Sequence, residues 1–387
     1  MKKVKFGLLP RVLVAIVLGV ALGNMLPMAV IRLFATFNSV FGQFLGFMIP
    51  LIIVGLVTPA IGDIGKGAGK MLLVTVVIAY LDTVFAGGVS YATGSWLYPD
   101  MIRGVASAHV GKAQAIAPYF TITIPQLFDV MAGLVFSFVI GLCIAHGNMP
   151  TLRGLFADFR QVISATISRA IIPLLPVYIF GIFLGMTHTG QAYHILAVFA
   201  GIIVVIFVLH IFILLYEFVA AGAVARKNPF RLLVNMLPAY FTALGTSSSA
   251  ATIPVTLRQT ERNGVSDDVA GFTIPLCATI HMSGSMMKIT SCALAICLME
   301  GLPHSPLLFV NFVLMLGVMM VAAPGVPGGA VMAALAPLAT ILGFNDEQQA
   351  LIIALYIAMD SFGTACNVTG DGAIAVVVNR LFSLRRH

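Results

Sequence analysis

The chain has 387 residues, 60% of them hydrophobic and only 9% charged, and a mean hydropathy of +1.04. A soluble domain carries roughly 25% charged residues, so these figures exclude one and define a polytopic helical membrane protein. The net charge of +7 invites a nucleic-acid reading, but the placement of the basic residues argues otherwise.

In chain order, apolar runs near 7–27, 38–62, 71–94, 131–146, 171–187 and 195–222 are each long enough, or nearly so, to span a bilayer core of about 30 Å. The first follows the basic start MKKVK. No clear cleavage site stands behind it, so it reads as a retained helix rather than a signal peptide. Lys66 and Lys70 lie between the second and third runs and Arg153 and Arg160 after the fourth. Arg226, Lys227 and Arg231 follow the sixth, and Arg380, Arg385 and Arg386 lie at the end. Alternate loops are poor in base. This positive-inside pattern reads as topology, with both termini on the cytoplasmic side of the inner membrane, and assigns no role to nucleic acid. The five cysteines lie in apolar segments without metal-ligand spacing and read as free thiols.

From about 230 the texture changes. Apolar segments break at LGTSSSAATIP (244–254) and at AAPGVPGGA (322–330), each midway through an otherwise membrane-embedded stretch and each followed by a long helix. Irregular backbone at membrane depth is tolerated only where protein or a water-filled cavity covers it. The first break is flanked by Arg226, Lys227, Arg231, Arg258 and Arg262, so it enters from the cytoplasmic side. The second is flanked by Glu300, His304, Asp346 and Glu347, so it enters from outside. Small-residue runs also serve plain helix packing, but two breaks of opposite orientation predict re-entrant hairpins in an inverted repeat with a binding site between them.

The last segment, IALYIAMDSFGTACNVTGDGAIAVVV, places Asp360, Thr364, Asn367 and Asp371 at helical spacing on one face. An intramembrane carboxylate needs a partner of opposite charge, and Asp360 is suited to an ammonium. Asp371 leaves an alternative open, a pairing with Arg380. There is no P-loop, no HExxH and no GxSxG around Ser247–Ser249, so neither ATP drive nor an enzyme is indicated.

The motifs TSSSAATIPVTLR, TIPLCATIHMSGS, PGVPGGA and DSFGTACNVTGD together resemble the dicarboxylate/amino acid:cation symporter family, over nearly the whole chain and most densely from 240 to 375. The resemblance implies an all-α polytopic elevator-type transporter, with eight transmembrane helices plus two re-entrant hairpins, assembled as a homotrimer in lipid. Scaffold helices would occupy 1–70 and 121–190. The transport domain would comprise helix 3 (71–94) and 192–387, with helix 6, hairpin 1 at about 231–262, helix 7 at about 266–300, hairpin 2 at about 306–342 and helix 8 at about 346–384. It further implies that Asp360 holds a substrate ammonium, that Asn367 holds its α-carboxylate, and that Asn367 and Asp371 hold a sodium ion. Ser247, Ser248 and Ser249, and Gly325, Pro327 and Gly328, fall at the two hairpin tips, with Thr364 on the same substrate face.

Two departures matter. Acidic-substrate relatives carry arginine where this chain has Gly363, which leaves empty space and predicts a small neutral amino acid, with room for a bulkier one. Sodium-coupled relatives read Asn-Met-Asp-Gly-Thr where this chain reads His281-Met282-Ser283-Gly284-Ser285. Tyr80, Thr83 and Thr279 match other sodium-site positions, but charged ligands are lost. The chain gains Asp82 and Lys288, and His281, Ser285 and Lys288 are expected on one helical face. The expectation is a Lys288–Asp82 pair standing in for a sodium, with His281 or that pair carrying a proton. The functional reading is therefore an amino-acid symporter coupled to proton or sodium, with no other cofactor. The alternatives are a sodium-coupled acidic amino acid or C4-dicarboxylate symporter, and a passive channel.

Overall fold

The computed structural model describes residues 8–64, 70–106, 116–323 and 327–383, and every regular element among them is helical. Helix α1 (Leu8–Leu22) is followed by α2 (Met28–Ile64) and α3 (Lys70–Ala106). The last two have 37 residues each, about 55 Å of helix against a bilayer core of about 30 Å. Then come α4 (Val130–His146) and α5 (Pro150–Thr166), which passes through a π turn at Ile167–Ile171 into α6 (Ile172–His188), and α7 (Ala192–Ala225). On α7 the exposed residues Val204, Val208, Ile211 and Leu215 form an apolar stripe, the outward face expected of a helix against lipid rather than water.

Two helix pairs lie where hairpins are expected. Helices α8 (Pro229–Thr246) and α9 (Ser249–Arg262) are joined by Ser247 in the left-handed region (φ 49°) and by Ser248, whose side chain caps α9 by accepting from Ala251 N–H. Helices α12 (Pro306–Ala322) and α13 (Gly329–Thr340) flank the second break, where Gly328 adopts φ 76°, a conformation glycine takes without steric strain. Gly325 lies outside the described residues.

The two long helices expected after these breaks are each interrupted. The first is α10 (Asp267–Ile280) and α11 (Ser283–Glu300), separated by His281, which is extended, and the non-helical Met282. The second is α14 (Asp346–Ala358) and α15 (Asp360–Ser383), separated by Met359. Helix α14 begins with a capping box in which Asn345 and Gln348 satisfy each other's backbone N–H groups. Helix α15 packs against α7, α8, α9, α10 and α11, so it runs through the middle of the second half. In the first half α2 packs on α4, α5 and α6, and α1 on α6. Where the groups meet, Ile49, Ile52, Ile53 and Leu56 of α2 face Met319, Met332, Ala333 and Ala336 of α12 and α13, an apolar contact.

Candidate functional site

The buried face of α15 organises the polar interior. Asp360, its first residue, is 5% exposed, and its Oδ2 accepts the Gly328 N–H at 3.0 Å, tying the α12–α13 tip to the helix. The α8–α9 tip is tied to the same point by Ser247 and Ser361, whose hydroxyls share a 2.6 Å hydrogen bond. Ser249, at the start of α9, is also buried. Thr364 returns its hydroxyl to the Asp360 carbonyl at 3.0 Å. Asn367 caps the broken helix: its Oδ1 accepts from Gly284 N–H at 2.9 Å and Ser285 N–H at 3.4 Å, satisfying orphan donors at the α11 N-terminus. Ser285 in turn bonds Asn367 and the Tyr356 hydroxyl. Two hairpin tips and two interrupted helices thus converge on Asp360, with the four expected stripe residues all buried.

Further along α15 lies a second cluster, built around His281. Its Nδ1 is 3.0 Å from Asp371 Oδ1, its Nε2 is 2.9 Å from Asp82 Oδ2, and Glu217 Oε1 stands 3.9 Å away. Ser283 donates to Glu217 Oε1 at 2.8 Å, and Thr83 accepts the Met282 N–H at 3.2 Å, holding α3 against the break. Glu217 Oε2 has no hydrogen-bond partner among the described residues. Three carboxylates from α3, α7 and α15 therefore surround one imidazole whose side chain is fully buried. A neutral imidazole carries one N–H and can donate to one carboxylate only. Both short contacts are hydrogen bonds only if the group holds one more proton, on the ring or on a carboxylate. One ligand atom each from Asp82, Glu217 and His281 lies within 4.8 Å of the others, so these three could also hold a cation.

Several expectations are corrected. Lys288 does not pair with Asp82. Helices α3 and α11 do pack, but Asp82 lies at the level of Met282, while Ser90 is at the level of Met287 and Ser291. Lys288 is six residues beyond Met282, about 9 Å along the axis. Its ammonium instead donates to Met359 O at 3.0 Å and sits 4.1 Å from the Tyr356 ring centroid. Nor do His281, Ser285 and Lys288 share a helical face, because the helix is broken at 281–282. Gly363 leaves no empty space: a Cβ there would run into the Lys288 ammonium. Of the residues expected at a sodium, Asn367 caps α11 and Asp371 meets His281. Ser283 serves Glu217, Thr279 bonds back to Leu276 O on its own helix, and Tyr80 reaches Leu314 O of α12; neither Thr279 nor Tyr80 bonds within the His281 cluster.

Glu217 is the residue that sequence reasoning missed. The signal was present, since it is the single carboxylate in the apolar helix Ala192–Ala225, and a lone intramembrane acid is a functional candidate by default.

Opposed hairpin tips, interrupted helices and buried charged groups on one helix face define a membrane carrier of small polar cargo. The chain belongs to the sodium:dicarboxylate symporter family, whose model matches residues 8–381. It is 25% identical to the serine/threonine transporter SstT of Acinetobacter baumannii (strain AYE), over 97% of each chain. It is also 30% identical to excitatory amino acid transporter 2 of Homo sapiens over 254 residues, 63% of this chain and 43% of that one. These relatives are transporters, not enzymes, and this chain is a multi-pass membrane symporter of their family.

Proposed function

We propose that the protein carries a small neutral amino acid, serine or threonine in the first instance, across the cytoplasmic membrane together with a proton. The observation that carries the reading is that one buried face of α15 holds both groups the task needs. Asp360 meets the hairpin tips, and Asp371, eleven residues on and about 16 Å away, meets His281. Cargo and cation thereby bind one rigid element and move with it.

The neutral cargo follows from charge. Asp360 and the nearby Lys288 cancel, so a zwitterion adds no uncompensated charge, whereas a dicarboxylate would. Because Lys288 fills the space over Gly363, the cargo is small rather than bulky. The relatives matched end to end include serine/threonine transporters, which points the same way. The proton follows from the two carboxylate contacts of a single imidazole. Sodium is the second reading, favoured by the family's description.

The moving unit is 71–94 with 192–387, and the frame is 1–70 with 121–190, the termini lying in the cytoplasm. The apolar contact between α2 and α12–α13 supports sliding, since no hydrogen bond need break there. A homotrimer is the assembly that the family resemblance supports. Counterflow in proteoliposomes tests the carrier. Preloaded serine should drive transient accumulation of labelled serine and not of labelled succinate. Unsaturable flux without counterflow would indicate a channel and sink the proposal.

A further inference from the structure

Lys288 is 1% exposed, one of the largest fully buried side chains of the protein. A buried ammonium persists only where opposite charge or dipoles surround it. Met359 O accepts one of its donors and the Tyr356 ring offers a cation–π face. An ammonium has three donors, so these contacts leave capacity toward the site. That orientation is set by Gly363, on the same face of α15 as Asp360 and Asn367, because the ammonium lies where a side chain at 363 would begin. Lys288 and Asp360 attract one another, yet no ion pair closes between them. Asp360 Oδ2 takes the Gly328 N–H instead, and Lys288 takes the carbonyl of the preceding residue. Opposite charges held close but apart, at the meeting point of two hairpin tips, make a divided pair.

We propose that Lys288 is the ligand of the cargo's carboxylate, and that a zwitterion enters the divided pair with its ammonium on Asp360 and its carboxylate on Lys288. The inference rests on the amino-acid reading above and adds the residue that selects for it. An amine without a carboxylate leaves Lys288 uncompensated, and a hydroxy acid without an amine leaves Asp360 so. Glycine at 363 is what admits the ammonium.

The test is serine counterflow in proteoliposomes with ethanolamine and glycerate as competitors, which are serine without its carboxylate and serine with a hydroxyl in place of its amine. The wild-type protein should be inhibited far more weakly by either than by serine. Lys288→Met should raise the serine KM about tenfold or more, the scale of a lost hydrogen bond to a charged group, and should lessen the discrimination against ethanolamine. Lys288→Arg should keep that discrimination. Gly363→Ala is the second variant, should Lys288→Met not fold. Its methyl displaces the ammonium without removing a charge, and it should raise the serine KM while leaving ethanolamine inhibition less affected. A wild-type KM and discrimination in Lys288→Met, or in Gly363→Ala if that is the variant recovered, would overturn the inference and leave the amino-acid reading standing. Absence of counterflow with any zwitterion in the wild-type protein would overturn both.

Discussion

Replacing His281 with glutamine separates coupling from carriage. The imidazole reaches Asp371 on one side and Asp82 on the other, at 3.0 and 2.9 Å. A glutamine amide nitrogen donates to one of them, so one hydrogen bond to a charged group is lost, about 1.5–3 kcal/mol. That is small enough for the fold to survive, because α10 and α11 keep their packing. What the variant cannot do is share an ionisable proton between the two carboxylates. A pH gradient of one unit is worth about 1.4 kcal/mol per proton, hence about tenfold accumulation for a one-proton symporter. Wild-type proteoliposomes, acid outside and free of sodium, should concentrate serine about tenfold. The His281→Gln variant should reach a ratio of about one. Serine exchange at equal pH, which needs no net proton movement, should persist in the variant at a substantial fraction of the wild-type rate. Tenfold accumulation by His281→Gln under the same gradient would refute the assignment of the proton to this cluster.

Other consequences are open to measurement. Gly284→Ala would drive its methyl to 2.6 Å from Cys366 Cβ and 2.7 Å from Gly363 O, overpacking α11 on α15. It should destabilise by about 1–3 kcal/mol, read as a lowered melting temperature in detergent. Ser247→Ala removes the hydroxyl that pins the α8–α9 tip to Ser361, and should raise the serine KM several-fold with little change in melting temperature. Ile53→Cys with Ala333→Cys, on facing sides of the apolar contact, should, when bridged by a short bifunctional maleimide, stop transport while leaving serine binding intact. Continued transport by fully bridged protein would argue against sliding at that surface.

The architecture was legible because its signals are periodic or compositional. Polar residues at helical spacing over 360–371 and two Ser- and Gly-rich interruptions in apolar sequence need no tertiary information to be seen, and both lie where expected. Pairings across helices were not legible. Whether Lys288 reaches Asp82 depends on the register of α3 against α11, and on whether the chain is helical at 281–282. No local preference announces that break, since Asn367 stabilises it from another helix by capping Gly284 and Ser285. Gly363 was misjudged for the same reason. A missing side chain reads as a void only until a residue 75 positions earlier is known to fill it. Glu217 was visible but unassigned, because its partners Ser283 and His281 come from the α10–α11 segment, far along the chain.

The most direct test of proton-coupled amino-acid symport is a proton flux. Proteoliposomes containing a trapped pH-sensitive dye, in nominally sodium-free buffer of equal pH inside and out, would receive serine on the outside. Proton coupling predicts acidification of the lumen that begins on serine addition, saturates with serine and is absent in His281→Gln. A lumen that stays at constant pH while serine enters, and serine entry that appears only when sodium is added, would contradict it.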